Sequence, residues 1–357
     1  TSRGYPSDRI VTPLIINGDM SIAQRGTSFS SQSGSAYQLD RFKTLANSLG
    51  TFTISQSTTV PTGQGFAKSF KLDCTTADAS PAAGDTLQFV QYIEGQNLQS
   101  LKKGTSSAEA VTVSFWVRSN KTGTYTLELY DNDNTRQISK TYTISSADTW
   151  EKKTVNFAGD TSGALGNDNG LSFAVQWWLG AGSNSTSGTL SETWTSVTTA
   201  NRVSSSQVNI ADSTSNEWYI TGIQMEVGEF DSTTIPSFPF ESYANSLEKC
   251  QRYYFEEGNN AQSFVAGAFN ASDSPFRYQF MKPMRAAPSG SIGGSINTDL
   301  KLYSAGSDKT LTAVSFAAIT THGARVEISS SGAFTAGQTG HFYLLNNTGK
   351  LKFDAEL

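Results

Sequence analysis

The sequence predicts an all-β protein, and three observations carry that expectation. Apolar residues recur at every second position in run after run. Val111, Val113, Phe115 and Val117 share a face, as do Tyr125, Leu127 and Leu129, and then Phe173, Val175, Trp177 and Leu179. That is the period of a strand with one face buried. Clusters rich in turn formers separate the runs: Ser119-Asn120-Lys121-Thr122-Gly123, Asp131-Asn132-Asp133-Asn134 and Gly166-Asn167-Asp168-Asn169-Gly170. Charged residues make up only 16% of the chain, while 6 Trp, 13 Tyr and 21 Phe are spread along it. Disordered chains lack such aromatics, and short half-buried strands between polar turns use them well. The pattern points to a sandwich of two sheets rather than to α/β.

The elements follow in order. Residues 1–16 are punctuated by Pro6 and Pro13 and end in Leu14-Ile15-Ile16, which suits an extended arm that docks on a neighbour or leads into the first strand. Asn17-Gly18-Asp19 is a strong turn signal and opens a domain over 17–229. Within it Phe52 and Ile54 alternate with Thr and Ser, a strand-like run over 66–72 follows, and Leu87, Phe89 and Ile93 share a face. The last strand, 218–227, is expected to pair near the first and close a jelly roll. Residues 230–257 form a joint. From Ser242 to Cys250 there is no Gly, Pro or β-branched residue, and Tyr243, Leu247 and Cys250 recur at helical spacing. Residues 258–357 make a smaller β domain, with strands at 264–269, 276–281, 311–316, 324–328, 341–345 and 351–353 and a Gly/Ser-rich connection at 288–295.

Composition and charge exclude several classes. The net charge is −5, and neither domain has a basic stripe: residues 259–357 hold eight Lys/Arg against six Asp/Glu. A nucleic-acid partner has no electrostatic footprint here. No window of 18 apolar residues exists, so a transmembrane helix is not expected. The beginning of the chain lacks the basic-then-apolar order of a signal peptide. Cys74 and Cys250 are expected to be buried free thiols. No catalytic motif is present: there is no G-x-S-x-G elbow, no H-E-x-x-H and no phosphate-binding glycine loop. His322 and His341 have no Cys or paired carboxylate at ligand spacing. A carboxylate pair for glycan cleavage meets in space rather than in sequence and leaves no such trace. Asp131 to Asn134 begins like a calcium loop, yet Arg136 stands where the tight turn needs Gly, so a hairpin turn is the expectation. Asp19 suits either a structural calcium held with Glu226 or a turn that caps backbone amides. The expectation is therefore no catalytic residue, no cofactor and no committed metal site.

Strand alternation nominates a site. If Val113, Phe115 and Val117 face the core, Trp116 and Arg118 face outward. By the same rule Glu128 and Tyr130 oppose Leu127 and Leu129, and Gln176 and Trp178 oppose Val175 and Trp177. Two Trp, a Tyr and charged or amide groups would then share the outer face of a sheet. Sugars stack an apolar CH face on aromatic rings, and Arg, Glu and Gln satisfy their hydroxyls. Trp194, in a long Ser/Thr loop, would supply a rim to this glycan-binding face. The alternative is that a crossing loop or a neighbouring subunit covers the rings.

Several stretches resemble a family of bacteriophage virion proteins, especially those of marine phages. They are Ile15-Ile16-Asn17-Gly18-Asp19-Met20-Ser21-Ile22-Ala23-Gln24-Arg25-Gly26, Tyr37-Gln38-Leu39-Asp40-Arg41-Phe42, the run from Trp218 to Gly228, Cys250-Gln251-Arg252-Tyr253-Tyr254, and the segment from Met281 to Pro288. Order and spacing match from about residue 10 to 290. The chain departs at Phe42, where the family usually has Trp, and over Ile235 to Glu241, where a shorter Thr-Pro-Phe-Glu is common; both look like packing substitutions. The 17–228 region also resembles the jelly-roll carbohydrate-binding modules of secreted glycosidases. The resemblance implies a tail fibre, capsid fibre or related appendage on the virion surface, assembled in the bacterial cytoplasm and needing no export signal. It implies other virion proteins as partners through the N-terminal arm, a homotrimer, and host-surface polysaccharide as the ligand, without membrane insertion. A capsid decoration with a purely structural role is the alternative, and a glycan depolymerase a third.

Overall fold

A computed structural model describes residues 13–258, 262–331 and 334–357. The chain is all-β and divides into two compact units, Thr1–Tyr243 and Ala244–Leu357. Residues 1–12 of the expected arm lie outside the described residues.

Among the described residues the first unit holds β1 (Ser28–Gln32), β2 (Ala36–Tyr37), β3 (Phe42–Asn47), β4 (Thr51–Ser57), β5 (Ser69–Thr76), β6 (Thr86–Glu94), β7 (Val111–Ser119), β8 (Gly123–Asp131), β9 (Arg136–Ile144), β10 (Glu151–Phe157), β11 (Leu171–Ala181), β12 (Thr195–Ser196) and β13 (Glu217–Val227), with one short α-helix, α1 (Ser183–Thr186), and three 3-10 turns of helix. They form a jelly-roll β-sandwich of two antiparallel sheets, ordered β1-β4-β5-β13-β7-β10 and β12-β9-β8-β11-β6-β3-β2. The alternating sets read from the sequence face one another across the interior, and Val113, Phe115, Val117, Tyr125, Leu127, Leu129, Phe173, Val175, Trp177 and Leu179 all belong to one core. Phe89 sits among rings from both sheets: Phe42 and Trp177 on its own, with centroids at 4.8 and 5.7 Å, and Phe70 and Trp218 on the other, at 4.4 and 5.5 Å. Phe42 stacks parallel to Phe89 and is fully buried, so the position where the resembled family carries Trp is a packing position here.

Two sequence expectations shift. Strand β13 shares a sheet with β1, but β4 and β5 lie between them. Its link to the beginning of the chain is a backbone hydrogen bond from Ile223 N–H to the Gly18 carbonyl, 2.9 Å. The buried Asn17 side chain fixes that turn by donating to the Ile22 and Asp40 carbonyls and accepting from Ile22 N–H. The strand expected over 66–72 begins only at Ser69, and Phe66 precedes it in a loop.

In the second unit α2 (Tyr243–Gln251) leads into β14 (Tyr254–Glu257), followed by β15 (Gln262–Gly267), β16 (Phe276–Gln279), β17 (Ser289–Gly293), β18 (Leu300–Ser304), β19 (Ser307–Lys309), β20 (Leu311–Thr320), β21 (Gly323–Ser330), β22 (Thr339–Leu344) and β23 (Lys350–Asp354). Among the described residues these form three small sheets, β14-β23-β17, β15-β22-β18-β19 and β16-β21-β20. The predicted helix is present, but its apolar face is not: Cys250 is buried, whereas Tyr243 is 63% exposed. Because β14 pairs with β23, the last residues of the expected 230–257 joint are part of this unit's sheet. The Gly/Ser-rich connection at 288–295 contains β17. Gly290 works there because the Phe316 ring presses on its backbone; a Cβ would lie 2.5 Å from Phe316 Cγ. Cys74 and Cys250 are both buried, and neither is in a disulfide. Among the described residues no helix is long and apolar enough to cross a membrane.

Candidate functional site

The expected single glycan-binding face does not exist. Strand β7 belongs to the six-stranded sheet, β8 and β11 to the seven-stranded one. Trp116 and Arg118 therefore lie on one outer face of the sandwich, and Glu128, Tyr130, Gln176 and Trp178 on the opposite one. On that second face a crossing segment supplies the cover. Arg202 Nε and Nη2 donate to the two Glu128 carboxylate oxygens at 2.8 and 2.9 Å, and Trp178 Nε1 donates to Glu128 Oε2 at 2.9 Å. The Arg202 guanidinium also lies 5.1 Å from the ring centroids of both Tyr130 and Trp178. Burial works against its charge, but the Glu128 carboxylate outweighs burial and holds the Arg202 pKa above its ordinary value. Glu128 and Trp178 are almost wholly enclosed, Gln176 is buried, and only Tyr130 stays half-exposed. Trp178 is part of an internal network, not a sugar platform.

Trp194 is likewise engaged. Its Nε1 donates to the Ala158 carbonyl at 2.8 Å, and its ring lies 5.9 Å from Phe173 and 5.1 Å from the Lys103 ammonium. That ammonium pairs with the buried carboxylates of Asp131 and Asp160, and Asp160 also takes Arg136 Nε at 2.7 Å. Burial tends to raise the Asp160 pKa; hydrogen bonds from Arg136 and Lys103 prevail and hold it below the usual carboxylate value. Asp131 also accepts from Asn134 N–H, which makes the expected hairpin turn. Trp194 covers an ion network instead of rimming a cleft.

The face around Trp116 is different. Trp116 is half-buried, with Lys152 opposite it on β10 and Thr221 opposite it on β13. Just past Thr221 the β13 register breaks in a bulge at Gly222, whose φ is +62°. A side chain is disfavoured at that φ, and a Cβ would meet Phe66 Cζ at 2.5 Å. Glycine thus lets the Phe66 ring lie on the sheet, where Phe238 and Phe240 gather on it with centroids 5.1 Å away. The result is a cleft of about 300 Å³ between Trp116, Lys152 and the three phenylalanines, with Gln64 and Gln224 contributing amides. Gln224 is 4% exposed; its Nε2 donates to the Pro236 carbonyl at 2.9 Å, while its Oε1 is buried without a hydrogen-bond partner. A buried acceptor left so costs free energy, and a ligand hydroxyl would satisfy it once the side chains covering it give way.

Arg118 sits one step along the same face, but it is committed. Its guanidinium covers the Tyr219 ring at 4.9 Å and binds the Asp148 carbonyl and carboxylate. The Tyr219 hydroxyl donates to Glu217, which also pairs with Lys71, both at 2.6 Å. Of the predicted residues only Trp116 reaches the cleft. Phe66, Phe238, Phe240, Lys152 and Gln224 were missed, although Ile235 to Glu241 stood out in the sequence as a departure from the resembled family.

Asp19 accepts from the Ser21 N–H and hydroxyl, the turn-capping role of the two considered for it. Among the described residues no group of three or more His, Cys, Asp or Glu could hold a metal ion.

No family model matches the chain, and no curated protein matches it. Solved structures similar to it include the enzymatically active domain of tailspike protein 4 from bacteriophage CBA120, with 13% identity and a TM-score of 0.32 over 60% of this chain and 21% of that one. This chain thus spans about a fifth of the tailspike chain. A CBM4 carbohydrate-binding module aligns over 59% of this chain and 97% of its own, with 13% identity and a TM-score of 0.29. TmCBM61, solved with β-1,4-galactotriose, aligns over 61% and 99%, with 10% identity and a TM-score of 0.29. At such identities a likeness concerns the fold alone.

Proposed function

We propose that this chain is a non-catalytic appendage protein of a phage virion, on tail or capsid surface, which binds host-surface polysaccharide in the Trp116 cleft. The observation that carries the glycan half is the unpartnered, buried Gln224 Oε1 beside an accessible Trp. A pyranose stacks its CH face on the indole and gives a hydroxyl to the amide oxygen, while Phe66, Phe238 and Phe240 exclude water from one side. The virion half, with the N-terminal arm as the attachment and a homotrimer as the assembly, is supported by the family resemblance of the sequence. Single-site affinity as weak as about 1 mM suffices, because linked copies add on the order of 10²–10⁴ in avidity.

A glycan array with the full chain, followed by titration of the best oligosaccharide, tests the reading. Trp116→Ala is expected to cost about 1.5 kcal/mol of binding, near tenfold in Kd, with the fold retained. Gln224→Met is expected to weaken binding while changing stability by less than about 1 kcal/mol, since removing an acceptor that nothing satisfies offsets the loss of the hydrogen bond to the Pro236 carbonyl. Unaltered binding in both variants, or no glycan bound by the parent chain, would leave only a structural role. Release of reducing ends from host polysaccharide would overturn the non-catalytic part.

A further inference from the structure

The second unit contains a cavity that the reading above does not use. It measures about 270 Å³ and lies between the 268–275 loop and β21, lined by Phe269, Asn270, Asp273, Arg325, Glu327 and Ser329. Phe269 is 77% exposed, so its ring is open to a ligand at the edge of the cavity. The loop that carries it is held firmly. Asn270 Oδ1 accepts from the Ser272 and Asp273 amides, and the two Asp273 carboxylate oxygens accept from Ser329 Oγ and Asn270 Nδ2 at 3.0 and 2.8 Å. The Asp273 carboxylate is therefore satisfied by the loop and by β21. On the adjoining sheet Arg277 of β16 stands directly opposite Arg325 of β21. Like charges opposite one another across a strand pair repel. Only Arg325 has compensation, an ion pair with Glu327, and among the described residues Arg277 has no carboxylate partner. With Asp273 and Glu327 in the lining, the charges of the two arginines are balanced overall, and what the rim offers an anion is Arg277, which stands beside the lining on the same sheet face as Arg325 and has no carboxylate of its own.

We propose that this cavity is a second saccharide site, selective for acidic sugars. The sugar's CH face packs on Phe269, its carboxylate or sulfate bridges Arg277 and Arg325, and its hydroxyls reach Asn270. Guanidinium groups suit such oxyanions because they offer paired, charge-assisted donors, and the anion relieves the repulsion between the arginines. The inference goes beyond the Trp116 cleft in both place and ligand class, and it stands if that cleft binds nothing.

Calorimetric titration of the full chain tests it with three tetrasaccharides: tetragalacturonate, a chondroitin sulfate tetrasaccharide and uncharged cellotetraose. The parent chain is expected to bind at least one acidic probe, more weakly as salt rises. Arg277→Gln with Arg325→Gln is expected to weaken that binding at least about tenfold, with Phe269→Ala showing a loss of similar size. Trp116→Ala leaves this site unchanged and so separates its fate from that of the cleft. All substituted side chains are on the surface or half-exposed, and unchanged melting of each variant checks the fold. Neither acidic probe binding at up to about 10 mM, equal binding of cellotetraose by the Trp116→Ala chain, or full affinity in the arginine double variant overturns the proposal. Displacement of the acidic probe by equimolar inorganic sulfate reduces the site to an anion contact and overturns the saccharide part.

Discussion

Gln224 and Glu128 are both polar side chains buried on the outer face of a sheet, and they differ in what their oxygens meet. Both Glu128 oxygens are taken, by Arg202 and by Trp178 Nε1, whereas Gln224 Oε1 meets no donor. A satisfied buried network stabilises the fold, and an unsatisfied acceptor is held at a cost that binding can offset. Trp178 accordingly belongs to stability. Trp178→Phe removes one charge-assisted hydrogen bond and is expected to cost about 1.5–3 kcal/mol in urea unfolding. Binding of oligosaccharide at the Trp116 cleft is expected to stay the same; a loss there with stability intact would return Trp178 to the site. The same contrast explains how far the site was legible. Alternation decides whether a side chain points into the core or away from it, and it did so correctly for Trp116 and Trp178. It carries no information about which sheet a strand joins, nor about a connection such as 182–212 folding over the outward face. Arg202 lies far in sequence from every residue it covers, and no local pattern announces it.

At the scale of the element, β13 does most to build the cleft. Its first half pairs with β5 and β7, its bulge at Gly222 lets the chain bend, and its second half brings Gln224 opposite Ser114. A Cβ at residue 222 must hold a left-handed φ and displace the Phe66 ring that Phe238 and Phe240 pin down. Gly222→Ala is thus expected to cost about 2–3 kcal/mol and to weaken oligosaccharide binding as the Phe66 wall moves. Chemical denaturation reads the first effect and titration the second; a variant within 0.5 kcal/mol of the parent, inside the usual range for surface changes, would mean that the bulge does not constrain Phe66. The strands themselves were the legible part. Those with strict apolar alternation, β7, β8 and β11, were read with their core faces correct. Among the elements that escaped, β1, β10 and β17 are polar or glycine-rich, while β9 and β18 carry short alternating sets, Ile138, Tyr142 and Ile144 and then Leu300 and Leu302, that are buried but too few to stand out from the polar residues around them. In β17 the close approach of Phe316 to Gly290 replaces the side-chain signal that alternation needs.

At the scale of the molecule, each unit has its own core, which among the described residues comprises 38 buried residues around Phe89 in the first and 19 around Phe353 in the second. The two candidate sites are divided in the same way. Every residue of the Trp116 cleft falls within Thr1–Tyr243, and Phe269, Arg277 and Arg325 fall within Ala244–Leu357. A chain of about two hundred residues with one core buries enough surface to fold alone. The first unit expressed as residues 1–243 is therefore expected to unfold in one cooperative step. It should bind the cleft's oligosaccharide with a single-site Kd within about threefold of the full chain, a difference below 1 kcal/mol, and bind no acidic probe through the second site. Cell-surface binding is the quantity expected to fall more steeply, because removing one of two sites, and any assembly the missing unit supports, acts through avidity and leaves the intrinsic contact alone. If the fragment instead lost the cleft's intrinsic affinity while still folding cooperatively, the site could not be a property of the sandwich alone. The argument from Trp116, Gln224 and the β13 bulge would then have to give way.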